Sequence, residues 1–463
     1  MTGKIKIYKY FIINIFIFLL FISFSKINFA EEPLSFEFQE DKKIGGFAKG
    51  SGGSKKEAKN FLTEKNWSEG NNEFPDKSFY IALGKSEVHG SNNQEDFAEA
   101  RQEAYDIALL RAKQEFIKNM SQDISTNISD IREKGKFANP ISVDANEEEI
   151  QKRLSQMTEK EKIIALLNLK IDKELKKEGF EDPATPEAIE KAREIAASNS
   201  FEKSVNMSAE QRVAGFQTYK IFENSDGKTG DLTVIGLWSE KLSQLAGSLV
   251  TGSDVVPEGT PKKSLQKQIP SNNSDEDYMR WMFNFGTSMT TDEVGKMALI
   301  SYGHAAPIFD DPDEWSDACD QAQMHAEASL ILFANETVNY KAVLNQSTNI
   351  DKYKTNEIYK SEIDKKSSKD YLRTLETSSK MTLEGIAKLG DAELQHLGGS
   401  LECVVAVGWS TKSRETAEKM KEIQEKPIDL SKEEALEETD STQDTDSSGT
   451  KITGSGDSAS DDF

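Results

Sequence analysis

The stretch SFYIALGKSEVHG (78–90), followed by the alanine-rich FAEARQEAYDIALLRAK (97–113), decides the fold because the chain contains a second version of both. That second version reads KMALISYGHAA (296–306) and then WSDACDQAQMHAEASL (315–330). In each copy, an apolar run that ends near a glycine predicts a strand, and the alanine-rich run predicts a helix. We therefore interpret the chain as an internal duplication in which a strand leads twice into a helix.

The two predicted helices, from about Asn93 to Asn119 and from about Asp311 to Asn335, carry alanines at a spacing of four. Residues four apart lie on one helix face, so each helix has a narrow stripe that allows close approach to a sheet. High helix propensity alone could account for some of these alanines. We expect Ala104 and Ala322 to be equivalent core positions. The stripes consist of Ala100, Ala104, Ala108 and Ala112 in the first helix and Ala318, Ala322 and Ala326 in the second.

Each copy closes with a second matching block that ends in tryptophan and serine. RVAGFQTYKIFENSDGKTGDLTVIGLWSEKL (212–242) contains two β-rich runs around Asp226-Gly227, which is a strong hairpin signal. MTLEGIAKL and SLECVVAVGWSTK, between residues 381 and 412, take the same place in the second copy. Trp238 then aligns with Trp409. We interpret both as buried core anchors rather than as side chains that stack on a ligand.

The predicted fold class is α+β, with two related domains. Each domain is expected to be a small, mostly antiparallel sheet of three strands, covered by its alanine-rich helix because the helix must bury its stripe. The first domain also contains a helical insert at 145–200, where Ile150, Leu154, Ile164 and Ile171 recur on one face. We expect this face to pack on the adjacent hairpin; an exposed face that binds a partner is the alternative.

Composition sets the domain boundaries. A Gly/Ser stretch at 45–54 indicates a flexible segment, and three prolines among polar residues near 260 indicate a linker. Residues 427–463 contain eleven acidic residues and two lysines, too few apolar groups to offset the entropy of ordering. The predicted organisation is a flexible N-terminal segment (31–77), domain 1 (78–250), a linker (251–275), domain 2 (276–426) and a disordered acidic tail (427–463).

The start of the chain reads as a secretory signal peptide over residues 1–30. Lys4, Lys6 and Lys9 precede or border an apolar run that is too short to span a bilayer comfortably. Cleavage is expected after Ala30, with Ser25 as the other candidate, and an uncleaved N-terminal anchor is the alternative. The protein is therefore predicted to be exported, to the periplasm or beyond, with no transmembrane span after cleavage.

The charge balance argues against nucleic-acid binding. The 463 residues carry a formal net charge of −23, whereas a nucleic-acid binder needs a basic face to neutralise phosphates. Long periodic apolar segments also argue against disorder throughout the chain.

Cys319 lies on the second alanine-rich helix and Cys403 in the last predicted strand. If the helix covers the sheet, the two could meet, and an oxidising compartment would let them pair. Such a bond would stabilise the domain by roughly 4 kcal/mol in the chain-entropy model. Two separately buried thiols are the alternative.

No motif in the sequence specifies catalysis, a cofactor or a metal. HExxH, CxxC and GxSxG are missing, and none of the four histidines has a partner at the i, i+4 spacing of a helical zinc site. His304 near Asp310, Asp311 and Asp313 could attract a cation, but helix capping explains Asp311 without one. We therefore predict no catalytic, cofactor-binding or metal-ligating residues.

The repeated blocks resemble the βαββ unit of small bacterial envelope lipoproteins and of the N-terminal domain of flagellar assembly protein T. The resemblance rests on the strand ends IALGKSEV and ISYGHAA, the alanine-rich helices and the closing strands LTVIGLW and CVVAVGW. It implies a non-catalytic module of the cell envelope. It does not imply a lipid anchor, because no cysteine lies near the start of the chain.

These observations favour an exported, non-catalytic binding or scaffolding protein with envelope protein partners. A binder of small molecules or glycans, with its site in the cleft between the domains, is the second hypothesis, and an enzyme is the third. The sequence does not specify the partner, the ligand or the oligomeric state.

Overall fold

The computed structural model describes residues 53–75, 77–88, 97–133, 141–210, 213–225, 230–253, 256–335, 383–396 and 399–425. The predicted signal peptide (1–30), the predicted acidic tail (427–463) and the Asp226-Gly227 turn lie outside these residues.

The first domain contains one antiparallel sheet of four strands in the order β1-β2-β4-β3. A long helix, α2, connects β2 to a set of four further helices, and the hairpin β3–β4 closes the sheet. Its elements are α1 (Gly53–Glu64), β1 (Gly70–Glu73), β2 (Ser78–Val88), α2 (Phe97–Glu133), α3 (Glu147–Leu154), α4 (Glu159–Lys177), α5 (Pro186–Ala196), α6 (Asn199–Glu210), β3 (Gln217–Ser225), β4 (Gly230–Ser239) and α7 (Glu240–Thr251).

The second domain repeats this arrangement, with strand order β5-β6-β8-β7. A short 3-10 turn (Leu265–Lys267) precedes its first helix. Its elements are α8 (Asp275–Phe283), β5 (Gly286–Thr291), β6 (Met297–Ala305), α9 (Pro312–Asn335), β7 (Ala387–Gln395), β8 (Leu401–Trp409) and α10 (Thr411–Glu425). The chain therefore has the predicted α+β fold with two related sheet domains, although each sheet has four strands instead of three.

Both sheets are buried on both faces. In the first sheet, one face packs on α2 and the other on α1 and α7; in the second, one face packs on α9 and the other on α8 and the 3-10 turn. One continuous core contains Leu237 and Leu245 of the first domain together with Leu299 and Leu330 of the second. The alternation of side chains along a strand allows each strand to serve both layers.

A glycine in each sheet lets the alanine-rich helix approach closely. A Cβ atom at Gly84 would lie 1.8 Å from the carbonyl oxygen of Ala108, and one at Gly303 would lie 2.1 Å from that of Ala322. All seven alanines of the two stripes are buried. The stripes thus pack on the sheets, as their spacing indicates.

These contacts also correct the alignment of the two stripes. Ala322 meets the glycine of its sheet as Ala108 does, so Ala322 is equivalent to Ala108. Ala104 then corresponds to Ala318, one turn earlier on the second helix. Ala104 and Ala322 are both buried, but they are not equivalent to each other. A repeat of alanines every four residues gives several acceptable alignments, and only the contact with the sheet selects one.

Trp238 and Trp409 occupy equivalent places at the ends of β4 and β8. Both are buried, and each indole Nε1 donates to a main-chain carbonyl, that of Ala214 at 3.1 Å and that of Glu384 at 3.2 Å. In both domains that carbonyl precedes a glycine with positive φ. The serine after each tryptophan caps a helix that begins there. The duplication therefore extends to individual hydrogen bonds.

The predicted flexible segment 31–77 is folded where the structure describes it, at residues 53–75 and 77. Gly53–Glu64 forms α1, with Ala58 and Leu62 buried against the sheet, and Gly70–Glu73 forms the edge strand β1. Domain 1 therefore begins well before residue 78. The sequence pattern hid this because α1 has few apolar residues and β1 has none.

The predicted linker 251–275 contributes to domain 2. Leu265 is buried in the core beneath the sheet, and the amide of Met297 donates to the carbonyl of Pro257 at 2.9 Å. The prolines and polar residues of this segment are typical of a flexible linker, yet the segment covers one face of the second sheet. Within the described residues, no helix combines the length and apolar character needed to cross a membrane.

We predict that Gly84→Ala destabilises the protein by about 1–3 kcal/mol, because α2 must move away from the sheet to admit a methyl group. Urea unfolding followed by circular dichroism measures this loss. Gly247→Ala is the matched control, since no atom lies within 4 Å of its Cβ position in α7, and alanine favours a helix. Equal unfolding midpoints for the two variants would contradict the close approach.

Candidate functional site

A buried arginine joins the two domains. The guanidinium of Arg101, on α2, donates to the carboxylate of Glu223 on β3, with Nε at 3.1 Å and Nη2 at 2.8 Å. Its Nη1 donates to Glu402 on β8 at 2.9 Å, and Nη2 also donates to the carbonyl of Met282 at 2.8 Å. The side chains of Arg101, Glu223 and Glu402 are at most 1% exposed. The planar fork of the guanidinium suits this double carboxylate recognition.

Two histidines complete the hydrogen bonding of Glu402. Nδ1 of His304 lies 3.0 Å from Oε1, and Nε2 of His396 lies 2.8 Å from Oε2. The other nitrogen of His304 lies 2.6 Å from the carbonyl oxygen of Asn284, and its ring stacks on Phe285 at 3.7 Å between centroids. We call Arg101, Glu223, Glu402, His304 and His396 the ionic cluster.

The ionic cluster is arranged to keep Glu402 charged. Burial alone would raise the pKa of Glu402, but the positive charge of Arg101 and the contacts from His396 and His304 outweigh burial and hold the pKa well below its usual range. His304 faces an ionised carboxylate and a carbonyl oxygen, which both accept hydrogen bonds. Arg101, His304 and His396 thus all converge on the ionised carboxylate of Glu402.

The first domain carries an equivalent pair at the same place. Lys85 and Asp231 lie in β2 and β4 where His304 and Glu402 lie in β6 and β8, and their charged atoms are 2.5 Å apart. Asp231 also accepts from the amide of Ser54. This pair is partly exposed, whereas the pair in the second domain is covered by Arg101. The ionic cluster is therefore built around a duplicated pair of one basic and one acidic side chain.

The cation that His304 and Asp311 could attract was one suggestion from the sequence, but the structure gives these two residues different partners. His304 lies against Glu402, whereas Asp311 accepts hydrogen bonds from amides of the first turn of α9.

The sequence analysis did not predict the ionic cluster, although the sequence contained a signal for it. The signal was a glutamate and a histidine inside apolar strands, where a charge needs a buried partner. Within the described part of the chain, no group of three or more His, Cys, Asp or Glu side chains is placed to hold a metal ion.

Cys319 and Cys403 form a disulfide bond that ties α9 to β8, with Cα atoms 5.2 Å apart and a sequence separation of 84 residues. Cys403 follows Glu402 directly, so the strand that supplies the carboxylate is fixed covalently to the covering helix. The ionic cluster and the disulfide thus act on neighbouring residues of one strand.

An open groove of about 790 Å³ lies on the second domain. It is formed by residues 263–272, by Trp281 of α8 and by residues 389–391 of β7. None of these residues belongs to the first domain, so this groove is separate from the junction of the two domains.

Comparison with known proteins gives similarity without a function. Residues 155–251, from α4 to the end of α7, match a family described as "Domain of unknown function (DUF6844)". A crystal structure of a hypothetical protein from Francisella tularensis is similar to this one at a TM-score of 0.42 and 16% identity, covering 77% of this chain and 89% of that one. No curated protein matches. The family match covers less than half of the chain and includes the insert helices and the closing hairpin of the first domain.

We predict that Arg101→Met destabilises the protein by about 3–5 kcal/mol, because two buried carboxylates lose their cation. Chemical denaturation measures the loss. Arg153→Met, an exposed arginine on α3, is the matched control and should change stability by no more than about 0.5 kcal/mol. Similar values for the two variants would show that the ionic cluster does not stabilise the fold.

Glu402 should also shape the acid stability of the protein. Its folded pKa is depressed, so its stabilising contribution is complete above the unfolded value of about 4.3 and is lost as pH falls through the folded pKa. The stability difference between wild type and Glu402→Gln should therefore shrink from pH 5 to pH 3. Exposed Glu148→Gln should show little difference at any of these pH values. A wild-type advantage over Glu402→Gln that is unchanged at pH 3 would be evidence against a depressed pKa.

Removal of the disulfide should destabilise the second domain by about 4 kcal/mol, since the bond closes a long loop. The Cys319→Ser/Cys403→Ser double variant measures this by denaturation, and its midpoint should not respond to reductant. Wild type unfolded without reductant should bind no thiol reagent and should bind it at both cysteines after reduction. Full labelling without reductant would contradict the bond.

Proposed function

We infer that this chain is an exported, non-catalytic protein of the bacterial envelope that binds or scaffolds other proteins. The observation that carries this proposal is the ionic cluster. Clusters of buried ionisable groups are usual candidates for an active site, but here the groups are bonded to one another across the junction of the two domains. Their chemistry is used to hold the domains in one orientation, as a rigid binding platform requires.

Two features support export. The basic, apolar beginning of the chain has the pattern of a secretory signal. The disulfide between Cys319 and Cys403 suits an oxidising compartment outside the cytoplasm. The resemblance to envelope lipoprotein units and to flagellar assembly protein T adds to this proposal through strand and helix patterns alone.

A binder of small molecules or glycans is the second candidate, favoured by the open groove with its tryptophan and polar groups. The groove lies within the second domain rather than in the predicted cleft between the domains. A ligand cleft between the domains would have to lie where the ionic cluster is buried.

The test is expression of the full chain with its own first 30 residues, followed by cell fractionation and cross-linking in intact cells. We expect a processed, oxidised protein in the envelope or periplasmic fraction, cross-linked to a reproducible protein partner. A variant without residues 1–30 is the control and should remain in the cytoplasm. Recovery of the full chain as a reduced cytoplasmic protein would contradict export, and native mass spectrometry that shows a bound small molecule without a protein partner would favour the second candidate.

A further inference from the structure

The groove on the second domain combines an apolar wall with a basic rim. Ile269 and Leu389 supply half-buried apolar side chains next to the buried Trp281, and Lys263 and Lys267 lie exposed at the rim. Neither lysine forms an ion pair with any residue that the structure describes. In a chain with a net charge of −23, two lysines that have no ion-pair partner among the described residues favour an acidic occupant of the groove beside them.

The groove runs beside β7, which is the edge strand of its sheet among the strands that the structure describes. Four of the nine residues of β7 are exposed, whereas its equivalent in the first domain, β3, is largely buried. The difference has a cause: β3 lies beside β5, and the side chain of Gln217 accepts from the amide of Met289 at 2.5 Å. An exposed edge offers main-chain groups to a further strand.

One hydrogen bond shows which way the edge of β7 points. The side-chain amide of Asn272 donates to the carbonyl of Asp391 at 3.0 Å, and Asn272 is itself held by the indole of Trp281 at 2.8 Å. The main-chain groups of Asp391 therefore point away from β8 and toward the groove. Because a strand repeats every two residues, those of Glu393 point the same way. The charge of Asp391 is offset by Lys388 at 3.1 Å.

We propose that the groove and the edge of β7 bind an extended acidic peptide from a partner protein. The peptide adds as a fifth strand beside β7, while alternate acidic side chains lie against Lys263 and Lys267. Strand addition supplies affinity through main-chain hydrogen bonds, and the groove and the lysines supply specificity. This inference rests on the proposed function and names the chemistry of the partner.

The test measures binding of a fluorescent ten-residue peptide that alternates glutamate with threonine and valine, by anisotropy with the full chain. We expect saturable binding that weakens as salt is added, because exposed charges are screened. Lys263→Glu/Lys267→Glu should weaken it by about tenfold. Lys55→Glu/Lys56→Glu, which makes the same charge change at two exposed positions on α1, should weaken it by less than about twofold, the small effect expected of exposed charges outside the binding site.

A second variant tests strand addition. Glu393→Pro removes an amide that points away from β8, so it should abolish binding and leave the unfolding midpoint nearly unchanged, as proline is tolerated on edge strands. Equal binding by Glu393→Pro, or by a peptide with lysine in place of glutamate, would overturn the proposal.

Failure here would be distinct from failure of the proposed function. No binding of the acidic peptide by the full chain overturns this inference, whereas an envelope partner cross-linked to another surface would leave the scaffolding role intact. A variant truncated after Glu425 lacks the acidic C-terminal residues. If the peptide binds only to this variant, the groove is assigned to those residues of the same chain, and the proposal of a partner peptide is also overturned.

Discussion

The double salt bridge of Arg101 is the interaction on which the arrangement of the two domains depends. A guanidinium from the first domain satisfies carboxylates of both domains, and two histidines and two main-chain carbonyls accept or donate the remaining hydrogen bonds. Buried charges are costly unless they are fully paired. Another orientation of the domains would expose at least one of these charged groups to water or leave it buried without a partner. The two domains are therefore held in the orientation in which every charge of the ionic cluster has its partner.

The duplication explains how such a cluster could be built. Each sheet carries a basic side chain and a carboxylate on its two central strands, at the same register. In the first domain the pair remains partly exposed and is held by α1. In the second, α2 of the first domain covers the pair with Arg101, and Asn284, which directly follows α8, supplies a carbonyl. A shared position has thus acquired two roles because the two copies contact different neighbours.

The same comparison distinguishes the edges of the two sheets. The edge strand β3 is occupied by contacts with the second domain, while β7 faces an open groove. Our proposal of a partner peptide on the second domain rests on this contrast between the two strands. The disulfide reinforces this arrangement, since it joins the central strand β8 to the helix behind it.

The sequence by itself determined the duplication, the α+β class, the alanine stripes, the insert helices and the burial of Trp238 and Trp409, because each depends on periodicity or on local residue preference. The predictions of a flexible segment at α1 and β1 and of a linker before α8 were wrong. These segments have few apolar residues, and they fold because those few pack against a sheet. Tertiary structure alone decided that Arg101 meets Glu223 and Glu402, which lie 122 and 301 residues away. Long-range pairing of charges leaves no periodic trace, since its partners are chosen by the packing of whole elements rather than by their neighbours in the chain.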